Sequence, residues 1–286
     1  MSSAVVCGLI AAVGWGIADW LARGIGMALG TFRAQLWSQA IGIVVLGVAV
    51  VVSGAGIDAF AAGTPRAWAF AGLYACLIGT ASLLFFEAFG KGAVAVVAPI
   101  VGAYGAVTVA WSVVFGVEPT PQVLTGLAVV LAGVIAASVP ARGTSTPGQQ
   151  RGTIAALVAA FLFGTAFFVL GKEIVPTLGS LVPAFLSRLV SPVLLGAGAL
   201  ALKVSLAPPP RSLWPTMIAA TALSSIATVV TGMGSQDGDS SVVAVLGSLS
   251  VVVTVLIATV VLREKLALHQ RLGVVVAVVG IPLLAL

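Results

Sequence analysis

Residues 92–118 read GAVAVVAPIVGAYGAVTVAWSVVFGVE, and residues 238–264 read GDSSVVAVLGSLSVVVTVLIATVVLRE. Laid one on the other without a gap, they place Gly92 on Gly238, Val96-Val97-Ala98 on Val242-Val243-Ala244, and Val107-Thr108-Val109 on Val253-Thr254-Val255. Val114 then meets Val260, and Glu118 meets Glu264. The register extends backwards, with Trp68 on Trp214, Leu77 on Leu223 and Ala81 on Ala227. A similar offset matches Leu29-Gly30-Thr31 and Ser38-Gln39 with Leu178-Gly179-Ser180 and Ser187-Arg188. One inserted residue later, Gly126 and Gly133 match Gly273 and Gly280. Such self-similarity points to two copies of one unit.

The solvent for this repeat is lipid. Of 286 residues, 60% are hydrophobic and 7% charged, with a mean hydropathy of +1.22, against roughly 25% charged residues in a soluble domain. The net charge of +5 does not indicate nucleic acid, because the basic residues stand singly between apolar runs and form no stripe to neutralise phosphates. They read as topology charges beside membrane spans. Cys7 and Cys76 lie in apolar runs without a partner at metal spacing and read as small buried residues. His269 sits alone in a polar connection, so no metal or other cofactor is expected. The first apolar run has no basic leader and reads as a span and not as a removable signal.

A membrane helix needs about 20 apolar residues. Ten stretches qualify: 4–22, 34–53, 67–89, 93–116, 122–140, 152–171, 178–202, 213–234, 241–262 and 272–286. The expected fold is therefore an all-α integral membrane protein of ten transmembrane helices. The Pro-, Gly- and Ser/Thr-rich segment PARGTSTPGQQR at 140–151 separates a first five-helix unit, 1–140, from a second, 152–286, with 141–151 as the linker. Five is odd, so the second unit enters the bilayer inverted relative to the first. Inverted copies around a central site are the architecture of alternating access.

On these residues the chain resembles the EamA type of the drug/metabolite transporter superfamily. The likeness is carried by GWGIADWLAR at 14–23, by residues 86–134 and by residues 241–281. The pattern of small and apolar residues, a Glu, a short polar link and two spaced glycines occurs twice. The resemblance implies a cavity lined by spans 1, 3, 4, 6, 8 and 9, with span 2 outside it. It also implies transport of small metabolites, often export of amino acids. Arg263-Glu264, Asp19, Glu87, Asp237 and Asp239 depart from the common pattern.

An ionisable group within the bilayer costs at least about 2.5–3.5 kcal/mol and needs a reason. Asp19 follows Trp15 by one helical turn, an arrangement suited to a cation or to carrying a coupling proton. The alternative is an ion pair with Arg23, one turn further on. Arg188, deep in span 7, suits a substrate carboxylate or an ion pair across the bundle. Tyr104 offers a hydroxyl beside Pro99, which frees a backbone carbonyl in span 4. Trp15, Asp19, Tyr104, Arg188 and Gln236 are the expected substrate contacts, and Asp19, Glu87, Lys91 and Asp237 the expected gate or coupling groups. Glu87 and Lys91 also read as a helix-end salt bridge, and Asp237 as a helix cap. Arg33, with Gln35 and Gln39, starts span 2 and is expected to reach for the interface.

The function these features imply is secondary active transport of a small organic metabolite, an amino acid or similar zwitterion or cation, with export favoured. No GxxxxGK[ST] motif is present for ATP hydrolysis. No HExxH or GxSxG motif marks an intramembrane enzyme, and no catalytic residue is expected. A non-transporting receptor or scaffold is the other reading, and neither needs an inverted repeat. The expected partners are the bilayer of the cell (inner or plasma) membrane, the substrate and a coupling proton or cation. Nucleic acid is excluded, and a monomer suffices.

Overall fold

The computed structural model describes residues 3–92, 94–118, 120–139, 147–201, 203–235, 240–260 and 267–283. Among these residues the chain is helical, without strands. The first half comprises α1 (Ser3–Leu29), α2 (Thr31–Ser53), a short α3 (Ala55–Ala62), α4 (Pro65–Lys91), α5 (Val94–Gly102), α6 (Tyr104–Val114) and α7 (Pro121–Ser138). The second comprises α8 (Pro147–Val169), extended by a π-turn at Leu170–Ile174 into α9 (Val175–Leu178), then α10 (Leu181–Ala201), α11 (Trp214–Gly234), α12 (Ser240–Ser248), α13 (Ser250–Val260) and α14 (Leu268–Leu283).

Helix starts follow local chemistry. Thr64 and Thr120 accept hydrogen bonds from the amides of Ala67 and Val123, and Pro65 and Pro121 occupy first-turn positions where no amide is needed. Gly54, at a φ of 71°, ends α2 in the left-handed region. Among the described residues, six segments are long and apolar enough to cross a bilayer: Ser3–Leu29, Thr31–Ser53, Pro65–Lys91, Val96–Val114, Pro147–Leu178 and Arg211–Gly234. Shorter apolar helices occupy Pro121–Ala136, Leu181–Val193, Val242–Thr254 and Leu268–Gly280. Each stretch expected as a span thus carries apolar helix. The outer surface fits lipid, with Val51 and Val52 on α2 and Phe60 on α3 each at least 81% exposed. Contiguous apolar surface of this kind is rare on a soluble monomer. Cys76, expected to be buried, is exposed among these outward-facing side chains.

The repeat register reappears in the helix bounds. α5 and α6 break at Ala103; α12 and α13 break at Leu249, the same distance on as Trp214 is from Trp68. The helix pairing is also self-consistent when the halves are exchanged. α1 packs on α11 as α8 packs on α4, α1 meets α12 and α13 as α8 meets α5 and α6, and the counterparts α2 and α10, like α7 and α14, pack on each other. Gly16 and Gly164 permit two of these close approaches. A Cβ on Gly16 would lie 2.9 Å from the Ser250 carbonyl oxygen, and one on Gly164 2.6 Å from that of Tyr104. Small residues let membrane helices approach this closely, which yields dispersion and hydrogen bonding where lipid removes the hydrophobic drive.

Candidate functional site

A cavity of about 150 Å³ lies between the two halves. α1 contributes Trp15 and Asp19, α4 contributes Tyr74 and Ser82, and Tyr104 enters from the break between α5 and α6. The second half contributes Phe163 and Phe167 from α8, Arg188 from α10, and Thr221, Ser224 and Thr228 from α11. Trp15, Asp19, Tyr104 and Arg188, singled out from the sequence, all line this one cavity. Gln236 and Asp237 lie outside the described residues.

The two charges occupy different surroundings. Asp19 is half-buried beside an aromatic cluster: the Trp15 and Tyr104 rings meet edge-on at 6.1 Å, and Phe167 lies 5.5 Å from Trp15 and 5.2 Å from Tyr104. The expected alternative, a pair with Arg23, is not formed, and Asp19 has no hydrogen bond or ion pair among the described residues. Arg188 instead donates to Gln39 Oε1 at 3.1 Å, to Ser224 Oγ at 3.2 Å and to Ser225 Oγ at 3.4 Å. All three acceptors are neutral. Tyr74 stands within electrostatic range of Arg188, and Tyr104 within that of Asp19.

Among the described residues, the buried side-chain atoms Gln35 Nε2, Tyr74 Oη, Tyr104 Oη and Thr221 Oγ1 lack a hydrogen-bond partner. All four residues line the cavity. Buried polar groups are normally satisfied by protein or water, so their clustering around one void marks a site meant to be occupied.

Span 2 was expected outside the cavity, yet Gln35 and Ser38 line it, and Gln39, 1% exposed, holds Arg188. The reason is the length of α2, which starts at Thr31 and brings its first two turns against α10 and α11. Arg33 behaves as an end-of-span residue; its guanidinium donates to the carbonyl oxygens of Ala207 and Pro208. Glu87 pairs with Lys91 and accepts from Thr31 Oγ1 at 2.9 Å, outside the cavity lining. Their neighbours Phe85 and Phe86 do line it.

The cavity is not centred. It follows α1 from Trp15 to Ile25, the first turns of α2, α4 from Tyr74 to Phe86 and the middle of α11 from Ala220 to Thr228. It thus runs from mid-bundle toward the end where α1 finishes and α2 begins.

Residues 150–286 match the EamA-like transporter family. The match covers 137 of the 286 residues. The whole chain has the fold of a solved protein described only as "Crystal structure of protein", at a TM-score of 0.70 and 19% identity over 99% of this chain and 97% of that one. No curated protein matches the sequence. The match, with the apolar helices, points to a multi-pass membrane protein of the drug/metabolite transporter type. The EamA-like half supplies Arg188 and Thr221 to the cavity, and the first half supplies Asp19, Gln35, Tyr74 and Tyr104.

Proposed function

We propose that the protein is a secondary active transporter of a small organic metabolite, an amino acid or a similar zwitterion or cation, in the cell's inner or plasma membrane, with export the favoured direction. The observation that carries this reading is one cavity between the halves whose two charged residues, Asp19 and Arg188, make no ion pair with each other or with any described residue. Isolated charges within a membrane bundle mark substrate or ion pathways. A scaffold would gain stability by replacing them.

Ten spans, arranged as 1–140 and 152–286 in opposite orientation, would let the halves exchange conformations around this cavity. The halves-exchanged helix pairing supports that mechanism. Glu87, Lys91 and Thr31 tie α2 to α4 at the end toward which the cavity runs, and Arg151 of α8 stands within electrostatic range of Glu87. These groups act as a latch at the mouth. Asp19 is the coupling group or the contact for a substrate ammonium.

The test is metabolite profiling of the medium around cells expressing the wild type, Asp19→Asn or an empty vector. One compound class that changes only with the wild type names cargo and direction. Matching media across nutrient loads, with membrane expression confirmed, would overturn the proposal and favour a receptor or scaffold.

A further inference from the structure

Resting on the transporter reading, we infer that the cargo must carry a carboxylate, which docks at the Arg188 side of the cavity against Gln35, Tyr74 and Thr221. Compounds that offer only an ammonium group are not carried.

Arg188 has no counter-charge among the described residues; its guanidinium rests on one amide oxygen and two hydroxyls. Neutral acceptors orient the group without neutralising it. A cation at this depth calls for an anion, and its planar fork suits a carboxylate.

The second observation is independent of Arg188. Gln35 Nε2 is a donor only, and the Tyr74 and Thr221 hydroxyls can each donate. All three are unpartnered in residues at most 3% exposed, and all three residues line the cavity. They come from three helices, α2, α4 and α11, so no single helix face explains them. A pocket with one guanidinium and three unused donors is complementary to an oxyanion. Asp19 stands apart among Trp15, Tyr104 and Phe167, where it can accept an ammonium group but leaves the Arg188 donors unfilled.

Size narrows the class. A cavity of about 150 Å³ holds a molecule of roughly benzene's size, so the cargo is a short-chain carboxylate or amino acid.

The experiment uses the full chain in lipid nanodiscs. Thermal stabilisation is titrated with three probes of similar size: propionate, alanine and butylamine. Propionate and alanine are expected to raise Tm, and butylamine to leave it unchanged. Arg188→Gln abolishes the propionate effect, whereas Arg188→Lys keeps a weaker one. Gln35→Ala and Thr221→Val each weaken propionate by roughly tenfold, the loss of one hydrogen bond to a charged group. Arg66→Gln, at an exposed salt bridge with Glu173, serves as the control and binds as the wild type does. The wild-type probe order needs no variant, so a folding defect in Arg188→Gln does not blunt the test. Stabilisation by butylamine equal to that by propionate, or by none of the probes, overturns the carboxylate assignment. The transport reading then still stands or falls on the medium profile.

Discussion

The Thr108 hydroxyl donates to the carbonyl oxygen of Gly164, 3.0 Å away on the facing helix. Its repeat counterpart does the same, with Thr254 donating to Gly16 at 3.2 Å. Both threonines also bond back to their own helix, to Tyr104 and Ser250 at 3.0 Å each. The glycine makes this possible, since a side chain there would hold the two backbones apart. Interhelical hydrogen bonds in bilayers contribute about 0.6 kcal/mol on average. Thr108→Val and Thr254→Val are each expected to lower Tm slightly. Gly16→Val is expected to lower it far more, because the new side chain meets Val253 and the Ser250 carbonyl. Thermal unfolding in nanodiscs compares the three. Equal losses would show that the close approach is not the larger factor.

Neutralising Asp19 should separate stability from function. The carboxylate has no partner among the described residues, so Asp19→Asn removes an intramembrane charge whose insertion costs about 2.5–3.5 kcal/mol. Tm should therefore hold or rise. Transport should fall roughly ten- to a hundredfold if a charge-assisted contact worth ~1.5–3 kcal/mol is lost. A fall in Tm accompanying the loss of transport would assign Asp19 a structural role instead.

Much of this was legible in the sequence because two signals were strong. Apolar run length located the helices, and the doubled stretch ending in Glu118 and Glu264 gave the offset that the breaks at Ala103 and Leu249 reproduce. Intramembrane charge singled out Asp19 and Arg188, which both line the cavity, because a charge in lipid is costly. The neutral half of the site was harder. Thr221, Ser224, Ser225 and Thr228 recur at the spacing of one helix face, but serine and threonine also satisfy their own helices, as Thr228 does on the Ser224 carbonyl. Tyr74 and Tyr104 are the only tyrosines in the chain and both line the cavity; rarity is the signal in the sequence that points to Tyr74. The family pattern that puts span 2 outside the cavity says nothing of where this α2 begins, and so does not reveal Gln35 and Gln39.

Gly42 tests how Arg188 is aimed. A Cβ built on Gly42 would lie 2.9 Å from Arg188 Cδ and 3.0 Å from Nε. The guanidinium stem therefore lies against bare α2 backbone while its head reaches Ser224 and Ser225 on α11. Gly42→Val should push the stem aside, break the bonds to Gln39 and the serines, and reduce transport about tenfold or more, the equivalent of one charge-assisted bond. Gly47→Ala on the same helix meets the ring of Phe185 instead and should have little effect on cargo affinity. Parallel affinity measurements on the two variants check this; equal behaviour would mean that α2 packing in general, and not Arg188, sets the affinity.

Sidedness follows from the same topology and can be read chemically. With Cys7 and Cys76 replaced by serine, single cysteines are introduced as Ser2→Cys, Arg33→Cys and Arg66→Cys. Two spans separate positions 2 and 66, so an impermeant maleimide should label both from one face and position 33 from the other. Labels at 2 and 66 on opposite faces would mean an odd number of crossings between them and would end the ten-span arrangement. The basic residues then orient the molecule. Arg23, Arg33, Lys91, Arg151, Lys203 and Arg211 flank one set of helix ends, and Arg66 and Lys172 the other. Cytoplasmic loops carry the excess of Lys and Arg, so position 33 should be protected in intact cells and exposed in inverted vesicles. The cavity runs toward that end, past Phe85 and Phe86. A cytoplasmic position 33 would thus identify this conformation as the one that loads cargo from inside the cell, as export requires. An external position 33 would make the same cavity face the medium and favour uptake.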